Sequence, residues 1–173
     1  MPPTKSKPKH MELIEPPHIV HRPRAATVGI RVVTPFRGML AVRDGLFREI
    51  RSWLDDRHVD AGALFMHLHV VDMDGDMDLE VGALADTTAP RDSRVRCGEM
   101  PAGRYATLTY VDHALRANRH LIEWVKSEGL AFDRRATPAG DAFACRYEAY
   151  LSDERKEKRK TRWRVQLNFK LAE

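Results

Sequence analysis

The stretch RYATLTYVDHALRANRHLIEWVKSEG (104–129) joins two kinds of periodicity within one short segment. Its first part, RYATLTYV, is rich in β-branched and aromatic residues, which favour strands. From 115 to 128 the apolar residues instead recur at helical spacing. Their buried stripe consists of Leu121, Ile122, Trp124 and Val125. Gly129 follows, as a glycine commonly does at the end of a helix. The stretch therefore predicts a strand over 102–111 and then a helix.

The rest of the chain repeats this pattern on both sides. Two further strands are predicted after the helix, at 142–151 and 163–171. The first half carries the same order of strand, helix, strand and strand, at 26–33, 39–54, 63–71 and 79–85. Each helix also has a tryptophan near its end, in FREIRSWLDD and in RHLIEWVKSEG. The pattern predicts an α+β fold built from duplicated β-α-β-β units.

Composition limits the classes to which the chain can belong. With 173 residues, 43% hydrophobic and 31% charged, it fits one soluble globular domain. No apolar run approaches the roughly 20 residues of a membrane helix, and the N-terminus lacks the apolar core of a signal peptide. We therefore expect a cytoplasmic protein without a membrane partner. Cys97 and Cys145 lie far apart, outside any CxxC pair, and we expect two reduced, buried thiols.

The basic residues concentrate in two places. One is the proline-rich segment 1–11, which has nothing to bury and is predicted to be a flexible leader. We expect a single domain over 12–173, with halves at about 24–90 and 91–173. The other is DERKEKRKTR (153–162), where no aromatic residue interleaves to stack on bases. A solvated loop is favoured there, and a nucleic-acid partner is not expected.

The acidic stretch HLHVVDMDGDMDLEVGAL (67–84) invites a metal interpretation. A calcium loop of this type needs glycine at its sixth position and glutamate at its twelfth, and the spacing here fails both. His67 and His69 share one strand face, but a third ligand is not evident, so we expect no metal. Asp74 and Gly75 indicate a hairpin turn. If any of this stretch is functional, the candidates are His69 and Glu80.

Four segments together resemble the GyrI-like small-molecule-binding domain, which is also the effector domain of several multidrug-sensing transcription regulators. The resemblance covers roughly 24–171, and we identify the chain as a stand-alone form. The segments are ATVGIRVVTPF (26–36), DLEVGALAD (78–86), MPAGRYATLTYVDH (100–113), and RYEAYLSD (146–153) with TRWRVQLNFKL (161–171). The resemblance implies antiparallel sheets, a pseudo-twofold axis between two β-α-β-β halves, and a groove between them for an organic ligand.

The resemblance also implies a ligand site. Many relatives carry a glutamate in the last strand that attracts cationic aromatic ligands, whereas this chain has Gln166 there. An amide has no charge with which to attract a cation. We therefore expect non-enzymatic binding of a small apolar, aromatic or amphipathic molecule, as in sensing or sequestering a toxic compound, without a cofactor. The expected ligand-binding residues are Phe36, His69, Tyr110, Glu148, Tyr150 and Gln166.

Other functions remain open at this point. Some relatives hydrolyse cyclopropane-containing compounds, and here Glu148 or Glu80 could serve as a general base. A gyrase or protein-interaction inhibitor, using 156–162 as its contact surface, is another alternative. The edge strand expected at 14–20 could pair two copies into a homodimer. The leader has no room for a helix-turn-helix, so we expect any DNA-binding unit to lie elsewhere.

Overall fold

The chain forms one antiparallel sheet and two helices. The computed structural model describes residues 11–91 and 93–173. The helices are α1 (Met39–Asp56) and α2 (Ala114–Ser127). The strands are β1 (Glu12–Arg22), β2 (Ala25–Pro35), β3 (Leu64–Val71), β4 (Asp76–Leu84), β5 (Arg96–Met100), β6 (Gly103–Val111), β7 (Arg134–Thr137), β8 (Gly140–Phe143), β9 (Arg146–Tyr150) and β10 (Arg164–Lys170). The predicted α+β class is confirmed.

The strand order in the sheet is β1-β6-β10-β9-β3-β4-β2-β5, and the β7–β8 hairpin attaches to β3. From the centre outward, β3-β4-β2 in the first half matches β9-β10-β6 in the second. Each half is extended by the strand that precedes the other half, because β5 pairs with β2 and β1 pairs with β6. The two halves thus meet where β3 pairs with β9. The pseudo-twofold relation between them stays a prediction.

Several element boundaries differ from those predicted. The single strand expected over 142–151 is two strands, β8 and β9. Strands β5 and β7 were not predicted, because their polar sequences RCGEM and RRAT lack an apolar alternation. The acidic stretch does form the predicted hairpin, but β4 begins earlier than predicted, at Asp76. Within it Met77 is buried, whereas its neighbours Asp76 and Asp78 point to the other side of the sheet. Helix α2 does end before Gly129, which has a φ of 69°.

Both helices pack on the same side of the sheet, called here the helix face. Helix α1 contacts β2 and β4, and α2 contacts β6. The core on this face includes Val28, Leu46, Ile50, Met66, Leu79, Leu121 and Leu167. Trp124, predicted to be buried, is only partly so, and the same holds for Trp53 at the end of α1. A smaller core lies on the other side of the sheet, called the opposite face, and consists of Phe65, Met100, Tyr105, Cys145, Tyr147 and Ala149. Cys97, predicted to be buried, is exposed, and both thiols are free.

The N-terminal strand lies at one end of the sheet. Strand β1 pairs with β6 and has two register irregularities, between Leu13 and Glu15 and between Glu15 and His18. Prolines at 16 and 17 suit an edge position, as predicted. Homodimer formation through this edge stays a prediction, and most of the leader lies outside the described residues. Within 11–91 and 93–173, no helix combines the length and apolar character required to cross a bilayer.

The close approach of β4 to β2 gives a test of this architecture. A Cβ atom on Gly82 would lie 1.9 Å from the Val28 carbonyl oxygen, so Gly82→Ala must push two buried strands apart. We expect a loss of roughly 1–3 kcal/mol in the free energy of unfolding. The matched control is Gly45→Ala in α1, where the nearest atom lies 3.7 Å away. It should gain about 0.5–1 kcal/mol. Denaturant titration measures both, and equal effects would contradict this packing.

Candidate functional site

Strand register decides which of the predicted site residues lie together. Directly opposed residues in an antiparallel pair point to the same face of the sheet. Glu148 is opposite Leu167 on β10 and Met66 on β3, which places its side chain on the helix face. Tyr150 and Tyr110 are both opposite Val165 and lie on that face too. Three of the six predicted residues therefore share one side of the sheet.

The same register separates Gln166 from this group. It is opposite Ala149, so it lies on the opposite face, where it accepts a hydrogen bond of 3.2 Å from Asn168 Nδ2. The predicted grouping of Gln166 with Glu148 and Tyr150 in one pocket is therefore corrected. The three residues lie on the neighbouring strands β9 and β10. The pairing of two strands does not by itself determine to which face of the sheet each side chain points; the register does.

His69 and Phe36 also lie apart from the tyrosines. The Nε2 atom of His69 is 2.9 Å from Glu80 Oε1, and both residues are on the opposite face. Glu80 therefore cannot act in the same pocket as Glu148. Phe36 lies at the junction of β2 and α1 and is half-buried against the core of the helix face.

On the helix face, a hydrogen-bonded chain ends at Glu148. The Tyr150 hydroxyl donates to Glu148 Oε2 at 2.8 Å and accepts from Arg43 Nη1 at 3.3 Å. Burial, followed by the negative charge of Glu148, raises the pKa of Tyr150, so the hydroxyl stays protonated. The Arg43 guanidinium also lies over the rings of Phe47, Tyr150 and Trp163, with centroid distances of 5.4, 5.2 and 5.5 Å. The carboxylate is thus held in a fixed position.

Sequence reasoning missed Arg43, although a signal was present. Arg43 precedes Leu46 and Phe47 by three and four positions, which places all three on one side of α1. Its side chain is buried with theirs. Tyr110 is buried nearby, and its pKa is raised by burial and then by the charge of Glu148. It therefore offers a neutral hydroxyl to this region of the helix face.

A cavity of about 250 Å³ opens between α2, the β7–β8 hairpin and the sheet. Its lining is largely aromatic and aliphatic, with three charged side chains: Val71, Met73, Ile122, Phe132, Arg134, Asp141, Phe143, Arg146 and Phe169. The three phenylalanine rings contact one another, with centroids 5.1 to 6.4 Å apart. Arg134 and Asp141 form an ion pair at 3.7 Å. Such a lining suits a planar apolar group.

Arg146 is the most unusual group in this lining. Its guanidinium lies over Phe169 and Phe143, 4.5 and 4.9 Å from their centroids, and its Nη2 donates to Asn118 Oδ1 at 3.2 Å. The Nε atom is buried and has no hydrogen-bond partner among the described residues. Burial lowers the pKa of Arg146 to about 10, against the opposing effect of Glu148. The group is therefore a half-buried cation at neutral pH whose buried Nε–H has no acceptor within the described residues.

A second cluster lies on the opposite face. The rings of His67 and His69 are stacked with centroids 3.8 Å apart, and one potential ligand atom from each lies within 4.8 Å of a Glu80 carboxylate oxygen and of the other. Burial, then the nearby His69 ring and the Arg31 guanidinium, lower the pKa of His67 to about 3, so the His67 imidazole is neutral. The expectation that the two histidines lack a nearby third ligand is therefore wrong. Glu80, named above as a functional candidate, is this third group, and its place opposite His67 depends on the β3–β4 register, which the sequence alone does not give.

Comparison with known proteins shows likeness in structure without likeness in sequence. No protein-family model matches the chain, and no curated protein matches it. The C-terminal domain of EcmrR aligns with a TM-score of 0.66 at 13% identity, over 93% of this chain and 99% of that domain. In an EcmrR–DNA complex the TM-score is 0.69 at 15% identity over 91% of this chain, which spans 57% of the EcmrR chain.

Two further structures have the same fold. A hydrolase from Listeria innocua gives a TM-score of 0.58 at 13% identity, over 91% of this chain and 92% of that one. SAV2435 bound to tetraphenylphosphonium gives 0.57 at 10% identity, over 90% and 93%. At these identities the likeness establishes a shared fold.

The hydrogen-bonded chain on the helix face can be tested by removing its central hydroxyl. Tyr150→Phe leaves Arg43 and Glu148 without their common partner, and we expect a loss of about 1–2 kcal/mol in unfolding free energy. The matched control is Tyr147→Phe on the same strand. Tyr147 is also buried, but its hydroxyl makes no hydrogen bond within the described residues. The control should change stability by less than about 0.5 kcal/mol. Equal losses would contradict the network.

Proposed function

We propose that the chain binds a small, planar, amphipathic organic molecule in the cavity beside α2. The apolar part of the ligand would pack on Phe132, Phe143 and Phe169, and a hydrogen-bond acceptor on the ligand would meet Arg146. This proposal keeps the binding role and the amphipathic ligand class inferred from the sequence. It moves the polar anchor from Gln166 to Arg146, because Arg146 lines this cavity and Gln166 does not.

The observation that carries the proposal is the Nε–H of Arg146, which has no hydrogen-bond partner among residues 11–91 and 93–173. A buried donor without an acceptor costs about 1–3 kcal/mol, and more when the group is charged. A ligand carboxylate or carbonyl oxygen would remove that cost while its ring displaces water from the phenylalanines. Arg146 lines this mostly aromatic and aliphatic cavity, so a ligand acceptor would meet the unpaired donor once the side chain turns its covered Nε–H toward the ligand.

The charges around the cavity favour an acceptor or anion over a cation. The nearby acids are already engaged, because Glu148 accepts from Tyr150 and Asp141 pairs with Arg134. Arg146 forms no ion pair within the described residues, although Glu148 and Asp141 lie close enough to favour its charge. SAV2435 has been seen with tetraphenylphosphonium, a lipophilic cation. We infer the reverse preference here, because a buried guanidinium repels a cation that enters beside it.

Cavity size limits the ligand. At about 250 Å³ the cavity lies just below the roughly 300–1,000 Å³ of ordinary ligand pockets. A molecule with one or two fused rings and a single polar group fits this volume. Sensing or sequestration of such a compound is the biological role we infer, and the likeness to a domain of the DNA-binding protein EcmrR supports sensing.

Thermal shift and calorimetry with a charge-matched panel test this function. The panel comprises 1-naphthoate, its neutral amide 1-naphthamide, and tetraphenylphosphonium. We expect naphthoate to raise Tm most, the amide less, and the cation least. Arg146→Gln should weaken naphthoate binding by about 10- to 100-fold, the equivalent of one charged hydrogen bond.

The matched control for this test is Arg119→Gln on the exposed side of α2, which should bind naphthoate like the parent protein. Circular dichroism establishes that both variants are folded. Tighter binding of the phosphonium, or naphthoate affinity unchanged in Arg146→Gln, would overturn the proposal.

A second candidate function, hydrolysis, is favoured by the position of Glu148. Its half-buried carboxylate lies on the helix face two residues from Arg146, held by Tyr150, and a neighbour in fold is a hydrolase. A carboxylate in such a position can act as a general base toward water.

The test is turnover of a cyclopropane-containing ester or a similar reactive substrate. If Glu148 is the base, Glu148→Gln should lower kcat by about 100-fold or more while the variant keeps its fold. Glu123→Gln, exposed on α2, is the control. Turnover that persists in Glu148→Gln would reject this role.

A further inference from the structure

We propose that His67, His69 and Glu80 bind a zinc-class divalent metal ion on the opposite face of the sheet. Two imidazoles and one carboxylate are ligands that zinc accepts, and three protein ligands leave a fourth position for water or a small ligand. The proposed site lies on the other side of the sheet from the Arg146 cavity, so it is independent of the function proposed above.

The distances are compatible with a shared ion after small adjustments. The potential ligand atoms all lie within 4.8 Å of one another, and His69 Nε2 is 2.9 Å from Glu80 Oε1. Ligand atoms around a tetrahedral zinc with bonds of about 2.0–2.2 Å are roughly 3.3–3.5 Å apart. The rings of His67 and His69 are stacked, so they would rotate out of this stacking for both lone pairs to meet one ion, while the paired strands β3 and β4 keep the three residues adjacent.

An independent observation points to a ligand at this place. His67 is only 6% exposed, and its Nε2 atom is buried without a hydrogen-bond partner among the described residues. A neutral imidazole can lend such a nitrogen's lone pair to a metal. A histidine kept in the interior with an unused ring nitrogen costs stability, and coordination would remove that cost.

The neighbouring residues support a bound cation. A Cβ atom on Gly29 would lie 2.3 Å from Glu80 Oε2, so the carboxylate side chain lies across the glycine of the adjacent strand. Arg31, the nearest cation, donates two hydrogen bonds of 2.8 and 2.9 Å to Asp78. Its charge is therefore offset by a carboxylate of its own. Glu80 is left to compensate the charge of the metal.

The ligand set also indicates which ions should bind. Imidazole nitrogens suit Zn²⁺, Co²⁺ and Ni²⁺, whereas Mg²⁺ and Ca²⁺ require mainly oxygen ligands. The test uses the full, untagged chain after chelator treatment, with zinc binding measured by calorimetry and Co²⁺ binding by its visible absorption. We expect one equivalent of zinc, a Co²⁺ spectrum typical of four-coordination, and no binding of Mg²⁺ or Ca²⁺.

Variants identify the ligands. His69→Ala and Glu80→Gln should each raise the zinc dissociation constant at least about tenfold, since even outer-shell partners of metal ligands contribute that much. Gly29→Ala removes no ligand but displaces the Glu80 side chain, and it should also weaken binding. His120→Ala and Glu123→Gln, both exposed on α2, are the matched controls and should bind zinc unchanged.

Two outcomes would overturn the proposal. One is the absence of stoichiometric zinc and cobalt binding by the folded, chelator-treated chain. The other is binding that His69→Ala and Glu80→Gln leave intact, since the metal would then sit on other side chains. Arg146→Gln should keep full zinc affinity, which separates failure at this site from failure at the ligand cavity.

Discussion

The pairing of β3 with β9 is the constraint on which both candidate sites depend. It joins the two halves of the chain at the centre of one sheet and places Met66 opposite Glu148 and His67 opposite Tyr147. Because side chains alternate between faces, a slip of one residue would move every functional group on one strand to the other side. Glu148 would leave the helix face, and His67 would enter the main core. The apolar residues on both strands hold this register, since either slip would remove them from the core in which they pack.

On the helix face, the charged side chains differ in how completely hydrogen bonds and aromatic contacts offset the free-energy cost of their burial. Glu148 and Arg43 share the hydroxyl of Tyr150, and Arg43 is further stabilised by three aromatic rings. Arg146 has two rings and one amide oxygen, but its Nε–H remains without an acceptor. The first group is therefore held by its own partners, whereas Arg146 lines the cavity and is the place where the proposed ligand would gain most.

Much of the fold could be predicted from the sequence, because helices and strands leave local periodic signals. The same local alternation correctly put Glu148 with Tyr150 on one side of a strand. It could not show which residues of β10 point to the same face of the sheet as Glu148. Gln166 was therefore grouped with Glu148 and Tyr150, although it lies on the opposite face. Arg43 and Arg146 were missed for a different reason. A long cationic side chain usually indicates solvent, and only tertiary packing reveals that these two are enclosed by aromatic rings.

On the opposite face, the fold tolerates a buried polar atom that lacks a hydrogen-bond partner among the described residues. A polar row crosses the sheet there through paired residues: Glu80, His67, Tyr147, Asn168 and Thr107. Asn168 is satisfied, since it accepts from Arg22 and donates to Gln166. His67 is not, although an apolar residue at the same position would pack against Phe65 and Tyr147 without any unpaired group. Local violations of this kind tend to occur at functional positions, because elsewhere a better-packed residue carries no disadvantage. A buried imidazole, a second one stacked on it and a carboxylate on the next strand are costly as packing, and metal coordination as proposed above would offset that cost.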